Sequence, residues 1–189
     1  EAFLADLAKK YSSTVMGGVV SPAPNGKGYN QSVTFAPDGQ LLARYSKLQP
    51  FTLGGEGECH TPGSEVVLFS AGGFTVAPLI CFDLRFPEHA RTAAKRGANL
   101  LVYIACWPMI RYHHWLTLLQ ARAIENLAFV IGVNRTGKDP ETRYNGRSVV
   151  VSPHGHIIAD AGEQERVIAA RIDAKDAEQW RADFPVLPT

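Results

Sequence analysis

Cys81 is the residue with the best means of doing covalent chemistry. In the run Val76-Ala-Pro-Leu-Ile-Cys81-Phe-Asp-Leu-Arg-Phe-Pro-Glu88 the thiol follows directly on an apolar strand, and Pro87 opens a helix six residues later. A cysteine at the carboxyl end of a strand is held by a rigid sheet, and the backbone N–H groups beside it are free to face a ligand. A free thiol has a pKa of about 8.5, so attack at neutral pH needs a nearby cation or base. Spacing alone leaves two readings open, a nucleophile or a buried structural cysteine, because free cysteine is among the most buried residue types. Cys59, beside Glu58, reads as a passive thiol, since no cation neighbours it in sequence. No Cys-x-x-Cys or His-x-x-x-His pair occurs, which argues against a zinc site, and His113-His114 and His154-x-His156 read as ordinary polar residues.

The elements that would hold Cys81 are legible in the periodicity. Apolar Phe3, Leu4, Leu7, Ala8 and Tyr11 recur at helical spacing. Strands are predicted at 14–20, 29–35 and 41–46, the last two joined by the turn Ala36-Pro-Asp-Gly39. A Gly-, Pro- and Thr-rich loop covers 48–64, followed by a strand pair at 66–69 and 74–80. Pro87 starts a helix running to about Arg96, with Gly97 at its C-terminal cap. The apolar run 100–105 is a buried strand, and a helix over 112–127 carries Trp115, Leu118, Leu119, Ala123 and Leu127 on one stripe. A strand at 129–133, a hairpin of 148–151 with 156–159, a strand at 167–172, a short helix at 174–181 and a tail at 184–188 complete the chain. There is no internal repeat or low-complexity linker, and the pattern is that of one layered α/β or α+β core.

Bulk properties narrow the functional classes. The chain has 189 residues, 46% hydrophobic and 20% charged, a globular balance in one domain. Formal net charge is +1, and the 19 basic residues form no run longer than pairs such as Lys9-Lys10. Neither a nucleic acid nor an anionic membrane is an expected partner. No apolar stretch approaches the roughly 18 residues of a membrane span, and the N-terminal residues do not read as a signal peptide. Three cysteines at unrelated spacings argue for a reducing compartment, hence a cytoplasmic location.

Ile80-Cys-Phe-Asp-Leu-Arg-Phe-Pro-Glu88 resembles the nucleophile motif of the nitrilase superfamily of carbon–nitrogen hydrolases, in wording closest to its omega-amidase-like branch. Three further blocks agree in order. Ala43-Arg-Tyr-Ser-Lys47-Leu is similar to the family's lysine block. Tyr103-Ile-Ala-Cys-Trp-Pro108, His114-Trp115 and Gln120-Ala-Arg-Ala-Ile-Glu-Asn126 are similar to its strand and helix after the nucleophile. Val133-Asn-Arg-Thr-Gly137, Tyr144-Asn-Gly-Arg-Ser148 and Ser152-Pro-His-Gly155 are similar to its C-terminal strands.

The resemblance implies an α-β-β-α sandwich, homo-oligomers (a dimer or higher), no metal and no organic cofactor, and a small-molecule amide as substrate. It also implies roles. Cys81 attacks the amide carbon. Lys47, with the backbone N–H of Phe82, stabilises the oxyanion. Glu56, six residues before Pro62 of the Pro-Gly pair, orients Lys47 or assists proton traffic, with Glu58 a nearby rival. Without the resemblance, Lys47 reads as a solvated strand-end lysine and Glu56 as a surface loop charge. Arg85 is a candidate for the carboxylate of an ω-amide, the other reading being an ion pair with Glu88 or Asp83. Trp107 and Pro108 are placed to wall the pocket, Trp115 reads as core, and Glu125 as a structural partner of Arg122 or Asn126.

The family's first glutamate, its general base, stands upstream of the lysine. The one glutamate there, Glu1, does not match its position. The domain over 1–189 is therefore expected to be N-terminally incomplete, lacking the family's opening strand–helix–strand. Such a chain is expected to have reduced activity and an unpaired sheet edge. Rival readings are an N-carbamoyl amide hydrolase, a nitrilase, and a catalytically inactive interaction subunit.

Overall fold

A computed structural model describes residues 1–187. Pro188 of the predicted tail lies outside the described residues. Helix α1 (Ala2–Tyr11) precedes three antiparallel strands, β1 (Val15–Pro22), β2 (Gly28–Phe35) and β3 (Leu41–Ser46), which form one sheet with β2 in the centre. The β2–β3 turn closes as its residues dictate, with Gly39 at φ 82° and its N–H donating to the Ala36 carbonyl at 2.7 Å. Ala8 of α1 packs on Val33 and Phe35, so this helix covers one face of the sheet.

Next come α2 (Glu56–Cys59), β4 (Phe69–Ala71), β5 (Phe74–Ile80), α3 (Pro87–Lys95), β6 (Leu100–Ala105), α4 (Tyr112–Asn126) and β7 (Phe129–Asn134). A small ribbon follows, β8 (Thr136–Lys138) with β9 (Arg143–Asn145), then β10 (Val149–Val151), β11 (Ile157–Asp160) and α5 (Ala174–Asp183). The second sheet runs β11-β10-β7-β6-β5-β4, with β5, β6 and β7 parallel. Parallel strands covered on both faces need continuous apolar runs. The interior fits: Leu79, Leu101, Tyr103 and Val130 form one core with Trp115 and Leu119 of α4. Gly132 lets that helix sit close, since a Cβ there would lie 2.4 Å from a Leu119 methyl and 2.8 Å from the Trp115 ring. The sheets face each other through β2 and β5, with α1 on one outer side and α3 and α4 on the other. The sandwich is thus α-β-β-α, as expected.

Local departures have physical reasons. The predicted strand at 167–172 pairs with no strand among the described residues, and Val167 is 95% exposed. The predicted strand at 66–69 starts only at Phe69, where pairing with Val76 begins. The single turn of α2 falls inside the loop expected over 48–64, being too short for a periodic signal. Among the described residues, no helix is long and apolar enough to cross a membrane.

Candidate active site

The parallel register brings the carboxyl ends of β5, β6 and β7 to one edge, with Ile80 beside Ile104 and Ile104 beside Val133. Ligands bind in the crevice outside such strand ends. Here that crevice is a cleft of about 630 Å³, lined by Cys81, Lys47, Glu56, Asn30, Cys106, Asn134 and Arg135 among others. Cys81 leaves β5 at φ 47°, a left-handed conformation that non-glycine residues adopt at a cost. It opens a 3-10 turn, Cys81–Arg85, whose first N–H groups, that of Phe82 included, have no acceptor within the turn.

Asp83 holds this turn in place. Its fully buried carboxylate accepts from the Ile80 N–H (2.9 Å), the Gln49 N–H (2.9 Å) and the Tyr45 hydroxyl (2.6 Å). Tyr45 and Gln49 flank Lys47, so one buried carboxylate ties the end of β3 to the cysteine turn. Burial pushes the Asp83 carboxyl up, and the three donors pull it back only in part.

Lys47 is 4% exposed, and its ammonium contacts Glu56 at 2.5 Å. Glu56 also accepts from Asn30 Nδ2 at 2.8 Å and from the Phe51 N–H at 2.6 Å. Burial pushes the Glu56 carboxyl up, but Lys47, the Phe51 N–H and Asn30 outweigh it and hold the carboxyl below its ordinary value. The loop carrying Glu56 returns to β3 at Gly63, whose N–H donates to the Lys47 carbonyl at 2.8 Å. A Cβ at Gly63 would lie 2.2 Å from the Ser46 carbonyl, so only glycine permits that return.

Burial pushes the Cys81 thiol up to about 11, with Lys47 pulling the other way. The resting group is therefore the neutral thiol, and attack requires a base. Since only thiolate alkylates, the iodoacetamide rate at Cys81 is expected to rise about tenfold per pH unit between about pH 7 and 10. Labelling resolved by peptide mass checks this. A flat rate across that window would mean that thiolate is already present at neutral pH.

The structure gathers Cys81, Lys47 and Glu56 around one cleft. Glu58 makes no ion pair among the described residues. Arg85 pairs with neither Glu88 nor Asp83. Its guanidinium lies 5.0 Å over the Trp107 ring, with Nη2 2.9 Å from His114 Nδ1. Trp107 is buried, its main-chain N–H on Asn134 Oδ1 at 2.7 Å. Neither Arg85 nor Trp107 lines the cleft. Glu125 pairs with Arg122 at 3.0 Å, the structural role read for it. Glu1 pairs with Arg44 at 2.7 Å and is likewise outside the cleft. Asn30, the Phe51 N–H and Arg135 escaped sequence reasoning. The signal for Arg135 was available, since it follows a strand parallel to the one that ends at Cys81.

Comparison with known proteins bears on the family and the fold. The family model described as carbon-nitrogen hydrolase matches residues 1–182. A hydrolase in the agr operon of Staphylococcus aureus is 38% identical over 187 residues, covering 98% of this chain and 72% of that protein. A 2-oxoglutaramate amidase of Bacillus subtilis is 36% identical over 186 residues, again 98% and 72%. A CN-hydrolase superfamily protein from Xanthomonas campestris superposes with a TM-score of 0.92 at 33% identity, over 98% of this chain and 72% of that one. Agreement over so much of the chain, in sequence and in fold, is membership: this chain belongs to the carbon–nitrogen hydrolase family.

Proposed function

We propose that the protein hydrolyses the terminal amide of a small carboxylate-bearing ω-amide, with Cys81 as nucleophile. The observation that carries this reading is the cleft itself, where the sulfur and the Lys47–Glu56 pair line one cavity at the ends of parallel strands. The Bacillus subtilis relative, named a 2-oxoglutaramate amidase, supports the ω-amide class. Cys81 adds to the amide carbon, and the oxyanion meets the Lys47 ammonium and the Phe82 N–H. One such donor contributes about 10²–10³ in rate. Collapse expels ammonia and leaves a thioester, which water then cleaves. A carboxylate must take the thiol proton, hand it to ammonia and activate that water.

Glu56 is the one carboxylate lining the cleft among the described residues. Three donors hold it as an anion, which suits positioning of Lys47 better than accepting a proton, so we assign the base to no residue of the cleft. The free thiols Cys59, Cys81 and Cys106 support a reducing, cytoplasmic setting. Exposed Ile110, in the turn before α4, and Ile124 on the flank of α4 support assembly of copies through helices.

The test is ammonia release from ω-amides, N-carbamoyl amino acids and nitriles, with mass detection of an acyl group on Cys81. Turnover of ω-amides with an acylated Cys81 is expected. Turnover confined to nitriles or carbamoyl compounds, or an unmodified Cys81 during turnover, sinks the reading.

A further inference from the structure

We infer that Arg135 is the specificity-determining residue that takes the carboxylate at the far end of the substrate. This rests on the ω-amide reading and names the group that would select it.

Two cationic residues line the cleft among the described residues, Lys47 and Arg135. The Lys47 ammonium is buried and committed to Glu56. Arg135 is held more loosely, in a long ion pair with Asp139. Its side chain is 40% exposed, and its one hydrogen bond among the described residues runs from Nη2 to the Lys138 carbonyl at 3.2 Å. The nearest carboxylate, Asp139, lies 3.7 Å from Nη1, beyond hydrogen-bond reach. Asp139 is already engaged by the Tyr144 hydroxyl at 2.7 Å and the Thr142 N–H at 2.8 Å. Guanidinium carries five donors in a planar fork that matches a carboxylate bidentately.

Placement fits as well as chemistry. The Arg135 main chain is pinned to the sheet, its N–H on the Ala105 carbonyl at 3.0 Å. The guanidinium lies 4.5 Å over the Tyr144 ring of β9, which steadies it. Arg135 follows β7, two strands from the end of β5, and two strand spacings come to about 10 Å. In a five-carbon ω-amide the amide and carboxylate carbons are about 5 Å apart. An attack distance of about 3 Å at one end and a hydrogen bond of about 3 Å at the other let such a chain bridge Cys81 and Arg135. Arg85, the other basic candidate, stacks on Trp107 and does not line the cleft.

Protection of Cys81 from iodoacetamide tests this without requiring turnover. The probes are 2-oxoglutaramate and valeramide, five-carbon amides with and without the carboxylate. In the unmodified protein, 2-oxoglutaramate is expected to protect at the lower concentration. Arg135→Met should weaken protection by 2-oxoglutaramate roughly 10- to 100-fold and so erase the difference between the probes. Arg135→Lys should restore part of that difference, and Arg85→Met should keep it. The inference is overturned if the unmodified protein does not distinguish the probes. It is equally overturned if Arg135→Met keeps the distinction or Arg85→Met erases it. Ammonia release from either amide in the unmodified protein, scored separately, shows whether the hydrolytic reading stands when Arg135 does not.

Discussion

Lys47→Met is expected to lower kcat by roughly 100- to 1000-fold, with a much smaller change in KM. The ammonium is buried beside Glu56 in the cleft that holds the thiol, so its main interaction with substrate is with charge that develops during attack. Two further effects follow from the same contact. Lys47 is the cation that pulls the Cys81 thiol down against burial. Without it the thiol rises further, and alkylation of Cys81 at about pH 8 should slow. Glu56 also loses its counter-ion. Breaking a buried pair costs about 3–5 kcal/mol when the remaining charge is stranded, but the Phe51 N–H and Asn30 still serve the carboxylate, so the lower end applies. Steady-state kinetics, alkylation and a urea melt separate the three effects. A kcat loss under tenfold in a folded variant would remove Lys47 from the oxyanion. Unchanged alkylation would place the ammonium out of electrical reach of the sulfur.

How far the sequence told this in advance depends on which interactions are local. Buried parallel strands announce themselves as apolar runs, and 74–80, 100–105 and 129–133 were read almost to the residue. Pro87 and Gly97 punctuate α3 where they should, Gly97 at φ 99°. The strand expected at 167–172 failed because a strand is a relation between two segments, and alternation in one cannot supply the other. The cleft divides the same way. Cys81 stands out by its position after a strand, whereas Lys47 and Glu56, nine residues apart, were tied together only by resemblance to a family. Nothing local says that a loop glutamate will fold back on a strand-end lysine. The cause is tertiary: Gly63 allows the loop to meet β3, and Asn30, from the neighbouring strand, completes the cage. Arg85 is a candidate in sequence because it stands four residues past Cys81. The sheet instead turns it towards Trp107 and His114 and brings Arg135, 54 residues away by number, to the cleft.

Asp83→Ala is expected to destabilise the fold by about 3–5 kcal/mol, because three donors lose one acceptor together. The Ile80 N–H, the Gln49 N–H and the Tyr45 hydroxyl all converge on this carboxylate, which is 0% exposed. Burial pushes the Tyr45 phenol far above its ordinary range, so it stays a donor at every working pH. Native domains keep only about 5–15 kcal/mol in hand, so the loss takes a large share of the margin. For a chain of this length it lowers Tm by roughly 10 °C. Tyr45→Phe removes one donor and leaves the carboxylate its two backbone partners, so a loss of only about 1–2 kcal/mol is expected. Because both side chains belong to one network, the double variant should lose less than the sum of the two. Acid acts with a definite sign. The folded state raises the Asp83 carboxyl, so it binds that proton more tightly than the unfolded chain does. The Asp83 contribution to stability is therefore greatest below the ordinary aspartate range and declines as pH rises towards the folded value. Asp83→Ala should remove that slope. Additive losses in the double variant, or a loss under about 1 kcal/mol for Asp83→Ala, would mean that the cysteine turn and the end of β3 are held by something other than this carboxylate.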